Sequence, residues 1–180
     1  TNEHGAFDAV TTVFWQKIDQ SARNITPFLL SVGLVLLSVV PMPVAGFAPI
    51  VPAFAVMSIY HWAIYRPNLL PFSAVFVLGL LYDLLAGAPV GLFAIVFLTV
   101  YGVALTQRKF IAGKSFLIYW FGFGIIAFGA AIESWALISI WHLTLLDTQA
   151  VFFQYLVSLG IFPLVAWIFL KWQQTLLTDL

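Results

Sequence analysis

The sequence predicts an all-α polytopic membrane protein with six transmembrane helices and both termini in the cytoplasm. Three observations predict this class. Hydrophobic residues make up 63% of the 180 residues, charged residues make up only 8%, and several apolar stretches are long enough to cross a bilayer. Soluble domains are about 45–50% apolar and about 25% charged, so this composition does not supply a water-soluble surface. Seven basic and seven acidic residues give no net charge, and we expect no nucleic-acid partner.

The segment 1–25 holds most of the polar character and is predicted to form a cytoplasmic amphipathic helix on the membrane surface. Its apolar residues recur at the helical spacing of three and four, namely Phe7, Val10, Phe14 and Ile18. The opposite side of that helix is polar. A partly ordered soluble extension is the alternative interpretation. We expect no cleaved signal peptide, because the first apolar run begins too late for one.

Six apolar segments follow, within a predicted transmembrane domain at 26–171 and ahead of a short cytoplasmic tail at 172–180. A spanning helix needs about 20 mostly apolar residues. Thr26 and Pro27 suit the N-cap and first turn of a helix, so the first span begins there. The predicted spans are 26–40, 44–65, 69–85, 90–106, 115–143 and 151–170.

The basic residues predict the orientation of these spans. In a six-span arrangement all seven basic residues fall on one side of the membrane, in the segments before span one, between spans two and three, between spans four and five, and after span six. In the loops of the other side, Asp147 is the only charged residue. Basic residues are enriched in cytoplasmic loops, so the basic side is the cytoplasm.

The second span has an unusual beginning. Residues 53–65 make only about 20 Å of helix, which is too short to cross a bilayer alone. We therefore expect the proline-rich segment 41–52 to join this span as broken or extended backbone that neighbouring helices shelter. Broken segments of this kind line the substrate site in transporters. A short periplasmic loop shaped by the prolines is the alternative.

Two carboxylates, Asp83 and Glu133, lie within predicted spans, both in the outer half of the membrane. An ionisable group inside the membrane is a candidate functional residue, because an unpaired charge there is costly. Gly79, Asp83 and Gly87 follow one stripe of span three, and small residues precede Glu133 by one turn. We therefore expect both carboxylates to face protein. For Asp83 we favour a structural hydrogen bond that caps the turn at 85–89 over proton or substrate handling, and the role of Glu133 is left open.

No catalytic set, metal site or cofactor is predicted. The chain has no cysteine, and His4, His61 and His142 are far apart with no clustered acids near them. No nucleophile elbow is present. An intramembrane enzyme is therefore the least favoured class of function.

Aromatic residues near the ends of two spans predict the level of the membrane interface. Tyr60, His61, Trp62 and Tyr65 are expected to form an aromatic belt at the cytoplasmic interface. Trp141 and His142 are expected to do the same at the other interface.

The middle of the chain, over about residues 52–110, resembles the MreD rod shape-determining family. The segment IYHWAIYRPNLLP at 59–71 leads into VLGLLYDLLAGAPVG at 77–91. The ordered set is an aromatic-Trp helix end, Arg-Pro, and then Gly-Leu-x-x-Asp-Leu-x-x-Gly-x-x-x-Gly. The matching positions are Arg66, Pro67, Gly79, Asp83, Gly87, Pro89 and Gly91. Glu133 lies outside this resemblance.

The resemblance implies a non-enzymatic scaffold of the cell-elongation machinery in the bacterial inner membrane. It implies binding to the single-span protein MreC and action with a RodA-type glycosyltransferase, its transpeptidase and, indirectly, MreB filaments in lateral peptidoglycan synthesis. The glycines and Asp83 would shape the hairpin of spans three and four. Arg66 would meet lipid phosphate or a partner carboxylate at the cytoplasmic face.

The alternative is a substrate-binding membrane subunit of a vitamin-type transporter. The resemblance also implies a fold like the substrate-binding components of energy-coupling-factor transporters, which are six-helix proteins of this size. A hydrophilic ligand needs several convergent polar side chains, and this sequence offers few. Homodimerisation, and a lipid within the bundle, are left open.

Overall fold

The computed structural model describes residues 26–40, 51–145 and 147–177, and every regular element in these ranges is helical. This confirms the predicted all-α class for the described residues. The predicted amphipathic helix at 1–25 and residues 41–50 of the proline-rich segment lie outside them. The helices are α1 (Thr26–Val39), α2 (Phe54–Tyr65), a 3-10 turn (Pro67–Leu69), α3 (Phe72–Ala86), α4 (Leu92–Ile111), α5 (Phe116–His142) and α6 (Thr148–Leu177).

Three of these helices are long and apolar enough to cross a membrane: α4, α5 and the Thr148–Trp172 part of α6. The helices α1 and α3 are apolar but shorter. The 12 residues of α2 reach only about 18 Å, well short of the roughly 30 Å hydrocarbon layer. Six crossings and the orientation of the termini therefore stay predictions.

The helix α4 is longer than the sequence analysis predicted. It continues past residue 106 to Ile111, so the connection to α5 is residues 112–115 and not the longer loop expected. Arg108 and Lys109 lie in the last turn, where positive charge complements the helix dipole. Nε of Arg108 also donates a hydrogen bond to the carbonyl of Ile64 near the end of α2, at 2.9 Å. The ends of α2 and α4 therefore lie together.

We call this end of the bundle the basic end. The start of α5 and the last part of α6 also pack near the end of α2, because the rings of Tyr119 and Phe169 contact His61. The described basic residues all lie on this side: Arg66 follows α2, Arg108 and Lys109 lie in the last turn of α4, Lys114 precedes α5, and Lys171 lies in the last part of α6. They are all exposed.

The helix α2 is the centre of the bundle. Eleven of its 12 residues are buried, and the helix packs against α1, α4, α5 and α6. Two of its polar side chains form hydrogen bonds to neighbouring helices, whereas Nε1 of Trp62 is buried without a hydrogen-bond partner among the described residues. Ser58 shares a 2.7 Å hydrogen bond with Ser31 of α1, and Oη of Tyr60 donates to the carbonyl of Tyr119 at 2.9 Å.

The predicted aromatic belt on α2 is wrong for Tyr60, His61 and Trp62. These side chains are buried in the core and do not reach the membrane interface. Nδ1 of His61 lies 2.8 Å from Oη of Tyr119. The physical reason is the central position of α2, which leaves no side of the helix facing lipid or headgroups. The residues predicted at the other interface differ from these in burial, since Trp141 and His142 at the end of α5 are exposed.

A side chain of α5 bonds the backbone carbonyl that a proline inside α6 leaves without its helical donor. Pro163 has no N–H, so the carbonyl of Leu159 lacks its helical donor. Nε1 of Trp120 donates to that carbonyl at 3.0 Å. The indole therefore replaces a missing backbone hydrogen bond where water is scarce.

The helices α3 and α4 pack closely against each other. A Cβ added at Gly79 would overlap the backbone of Ala94 on α4. Only glycine therefore allows the two helices to approach this closely.

We predict that Gly79→Ala destabilises the protein by about 1–3 kcal/mol, because the added methyl group pushes α3 away from α4. The measurement is thermal unfolding of the purified protein in detergent. Gly160→Ala is the matched control, because a Cβ at Gly160 of α6 meets no atom within 4 Å. Equal melting temperatures for Gly79→Ala and the control would contradict the prediction.

Candidate functional site

The carboxylate of Asp83 holds the start of α4. Asp83 lies near the end of α3 and is fully buried. Its Oδ2 accepts a hydrogen bond from the N–H of Gly91, and its Oδ1 accepts one from the N–H of Phe93, each at 2.8 Å. The first N–H groups of a helix have no partner within the helix, and they favour a negative charge. The burial cost of this carboxylate is therefore offset by two backbone donors.

The turn between α3 and α4 needs glycine at two positions. Gly87 ends α3 with φ +66°, and Gly91 precedes α4 with φ +97°. These are left-handed conformations that other residues adopt only with strain. The turn is closed by the N–H of Ala88, which donates to the carbonyl of Asp83 at 3.0 Å, and by the N–H of Leu92, which donates to the carbonyl of Pro89 at 3.1 Å.

The structure thus brings five of the predicted site residues together in one hairpin: Gly79, Asp83, Gly87, Pro89 and Gly91. One detail of the prediction is wrong. Gly87 does not continue the helical stripe of Gly79 and Asp83, because α3 ends at Ala86.

Arg66 and Pro67 lie at the basic end, away from the Asp83 cap. Arg66 is exposed, and Pro67 begins the 3-10 turn that leads to α3. The carbonyl of Pro67 accepts a hydrogen bond from Oη of Tyr101 at 3.1 Å. Pro67 therefore helps to fix α4 to this turn, while Arg66 is open to contacts outside the bundle.

Glu133 contacts α4, although protein does not fully enclose its side chain. It is half-buried on α5, and its Oε1 accepts a hydrogen bond of 3.0 Å from Oγ1 of Thr99, which is exposed on α4. The two small residues that precede Glu133 by one turn differ in burial, since Ala130 is buried and Gly129 is exposed. Glu133 consequently lies at the outer edge of the α4–α5 contact.

A small cavity lies at the end of the bundle opposite to the basic end, and the sequence analysis missed it. It leaves about 50 Å³ for a water-sized sphere. Its polar side chains come from α1, α3, α5 and α6, namely Ser38, Tyr82, Ser134, Gln154, Tyr155 and Ser158. The four helices are far apart in the sequence, so no local pattern marks these residues as a group.

The polar side chains of this cavity bind the backbone where the chain enters α2. Nε2 of Gln154 donates to the carbonyl of Val51 at 2.8 Å. Oγ of Ser158 accepts from the N–H of Ala53 at 2.9 Å, and Oγ of Ser38 accepts from the N–H of Ala55 at 3.0 Å. They therefore supply the hydrogen bonds that the beginning of a buried helix lacks.

The described residues contain no group of three or more His, Asp or Glu side chains placed to hold a metal ion. The fold and the candidate site together define a class of protein. It is an all-helical membrane protein whose buried polar side chains bond mainly to its own backbone.

Within that class, the family model described as rod shape-determining protein MreD matches residues 21–177, and the chain belongs to this family. The chain is also 32% identical over 83 residues to the rod shape-determining protein MreD of Haemophilus influenzae. That alignment covers 46% of this chain and 46% of the relative, so it spans about half of the relative's length. No solved structure matches the chain.

We predict that Asp83→Ala destabilises the hairpin by about 1.5–3 kcal/mol, because it leaves two buried N–H groups without an acceptor. Asp83→Asn keeps one acceptor oxygen, so its loss of stability should be smaller. Thermal unfolding in detergent and cell shape in a complemented deletion strain are the two measurements. Normal stability and normal rods with Asp83→Ala would remove Asp83 from the site.

Proposed function

We propose that this protein is a non-enzymatic scaffold of the cell-elongation complex in the bacterial inner membrane, with six spans and both termini in the cytoplasm. In this proposal it binds an MreC-like single-span protein and supports lateral peptidoglycan synthesis by a RodA-type glycosyltransferase and its transpeptidase. Contact with MreB filaments is indirect. Family membership supports the role in rod shape.

One observation carries the choice of a scaffold: most of the buried polar side chains in the described bundle are already bonded to its own backbone, with Nε1 of Trp62 as an exception. Asp83 caps α4, while Ser38, Gln154 and Ser158 bind the residues that lead into α2. Few interior groups are left to bind a substrate. The outer faces and the two ends of the bundle are then the surfaces through which the protein acts.

The basic end supports the cytoplasmic assignment of that side. Its exposed basic side chains suit the anionic headgroups of the cytoplasmic leaflet. Arg66 is exposed there, at the boundary between α2 and the 3-10 turn. We propose that it contacts lipid phosphate or a carboxylate of a partner.

The alternative, a substrate-binding subunit of a vitamin-type transporter, has the polar lining of the cavity in its favour. Its size argues against it. The cavity leaves about 50 Å³ for a water-sized sphere, whereas pockets for small-molecule ligands are about 300–1,000 Å³. A vitamin would also have to displace Gln154 and Ser158 from the backbone groups that they bind.

We predict that the tagged protein, purified from its native membrane in mild detergent, retains the single-span partner together with wall-synthesis enzymes. Mass spectrometry of the retained proteins is the measurement. Gly79→Leu is the control for assembly, because its side chain meets the Ala94 backbone and we expect it to lose these partners. Retention of an ATPase and a coupling subunit by the wild type would instead establish the transporter alternative.

A further inference from the structure

We propose that the outer face of the α4–α5 pair binds a transmembrane helix that presents a hydrogen-bond donor to Glu133. The α4–α5 outer face consists of Ile95, Thr99 and Gly102 on α4, and Gly129, Ile132 and Glu133 on α5. The inference rests on the proposed function, since the helix is taken to be the span of the single-span partner. It adds the place and the chemistry of that contact.

The first argument is the depth of the carboxyl group in the membrane. The 27 residues of α5 extend about 40 Å, which exceeds the roughly 30 Å hydrocarbon layer. Glu133 lies only about 6 Å along the axis from the middle of this helix. Thr99 lies about 4 Å from the middle of α4. Both side chains are therefore at hydrocarbon depth, away from phosphate headgroups and water.

The second argument is that Asp83 in the α3–α4 hairpin and Glu133 on α5 differ in the hydrogen bonds that their carboxyl groups accept. Asp83 is fully buried and receives two backbone N–H bonds. Glu133 is half-exposed and receives one described bond, from the hydroxyl of Thr99. A carboxyl group has two oxygens and accepts several hydrogen bonds. Lipid tails donate none, so a partner that supplies a donor gains free energy at this position.

The third argument is the shape of the surface beside Glu133. Gly102 and Gly129 lie one turn closer to the basic end than Thr99 and Glu133, respectively. A Cβ added at either glycine would meet no atom within 4 Å. The surface is therefore open there, and the absence of side chains lets the backbone of another helix approach closely. Flanking Ile95 and Ile132 are about half-exposed and offer apolar contact.

A second copy of this chain fits the surface less well. Two copies joined through the same face would bring the two Glu133 carboxyls near each other, and the one hydroxyl of each face, that of Thr99, already donates to Glu133 of its own chain. The described basic residues lie at the basic end and do not reach this depth. Like charges in a medium of low dielectric disfavour such a pair. A different helix that carries a hydroxyl, amide or cationic side chain is complementary.

The test compares three leucine variants in cells that co-produce the tagged protein and the single-span partner. Glu133→Leu removes the acceptor and should lower the recovered partner about threefold to tenfold. Gly129→Leu fills the open surface and should lower it about tenfold. Gly160→Leu is the matched control on α6, where the added side chain also meets open space, and it should retain the wild-type amount.

Monodisperse elution and an unchanged melting temperature establish that each variant is folded, and Gly129→Leu is expected to pass because its surroundings are empty in the isolated chain. Glu133→Gln, which keeps one acceptor oxygen, should recover more partner than Glu133→Leu. If the wild type retains the partner and Glu133→Leu and Gly129→Leu retain as much, the inference is overturned and the proposed function stands. If the wild type retains no single-span protein, both are overturned. Loss of self-association alone in Gly129→Leu would assign this face to a second copy and overturn the inference.

Discussion

Backbone groups at helix ends have no water to bond with inside a membrane, and the buried polar side chains of this protein are arranged around that constraint. Asp83 bonds the free N–H groups at the start of α4. Ser38 and Ser158 do the same where the chain enters α2. At the other end of α2, Arg108 bonds the carbonyl of Ile64. Trp120 bonds the carbonyl that Pro163 leaves without a donor. Each interaction replaces the hydrogen bond to water that the same backbone group would form at the surface of a soluble protein.

This use of polar residues limits what the protein can do. A catalytic or transport site needs polar groups that are free to meet a substrate, and the interior groups described here are engaged in holding short helices together. Glu133 differs from them, because it bonds a hydroxyl at the outer surface and caps no helix end. The proposed action through contacts with other helices agrees with membership of a shape-determining family.

Local features of this fold could be predicted from the sequence, and features that depend on distant segments could not. The α3–α4 turn could be predicted, because Asp83, Gly87 and Gly91 lie within a few residues of one another. The end of α4 is not evident from the sequence, because Arg108 and Lys109 resemble loop residues although long basic side chains can extend from a helix to the interface. The buried position of Tyr60 to Trp62 was missed as well. Their local pattern is the same for a central helix and for a peripheral one, and only contacts with α5 and α6 distinguish the two.

The same reasoning applies to the bonds at the start of α2. Gln154 and Ser158 are more than 100 residues from the backbone that they bind, so no spacing rule connects them. Glu133 shows a different limit. Its neighbours include one buried and one exposed small residue, and the direction of the side chain depends on the rotation of α5 against α4, which the sequence does not specify.

The central position of α2 has a consequence for how the protein enters the membrane. A helix of 12 residues with no lipid-facing side is too short to remain in a bilayer as an independent span. It reaches its final surroundings only after α6 has been synthesised and brings Phe162 and Phe169 against it. Insertion and helix assembly are therefore not separate stages for this segment, because α2 lacks its final packing partners until α6 has entered the membrane.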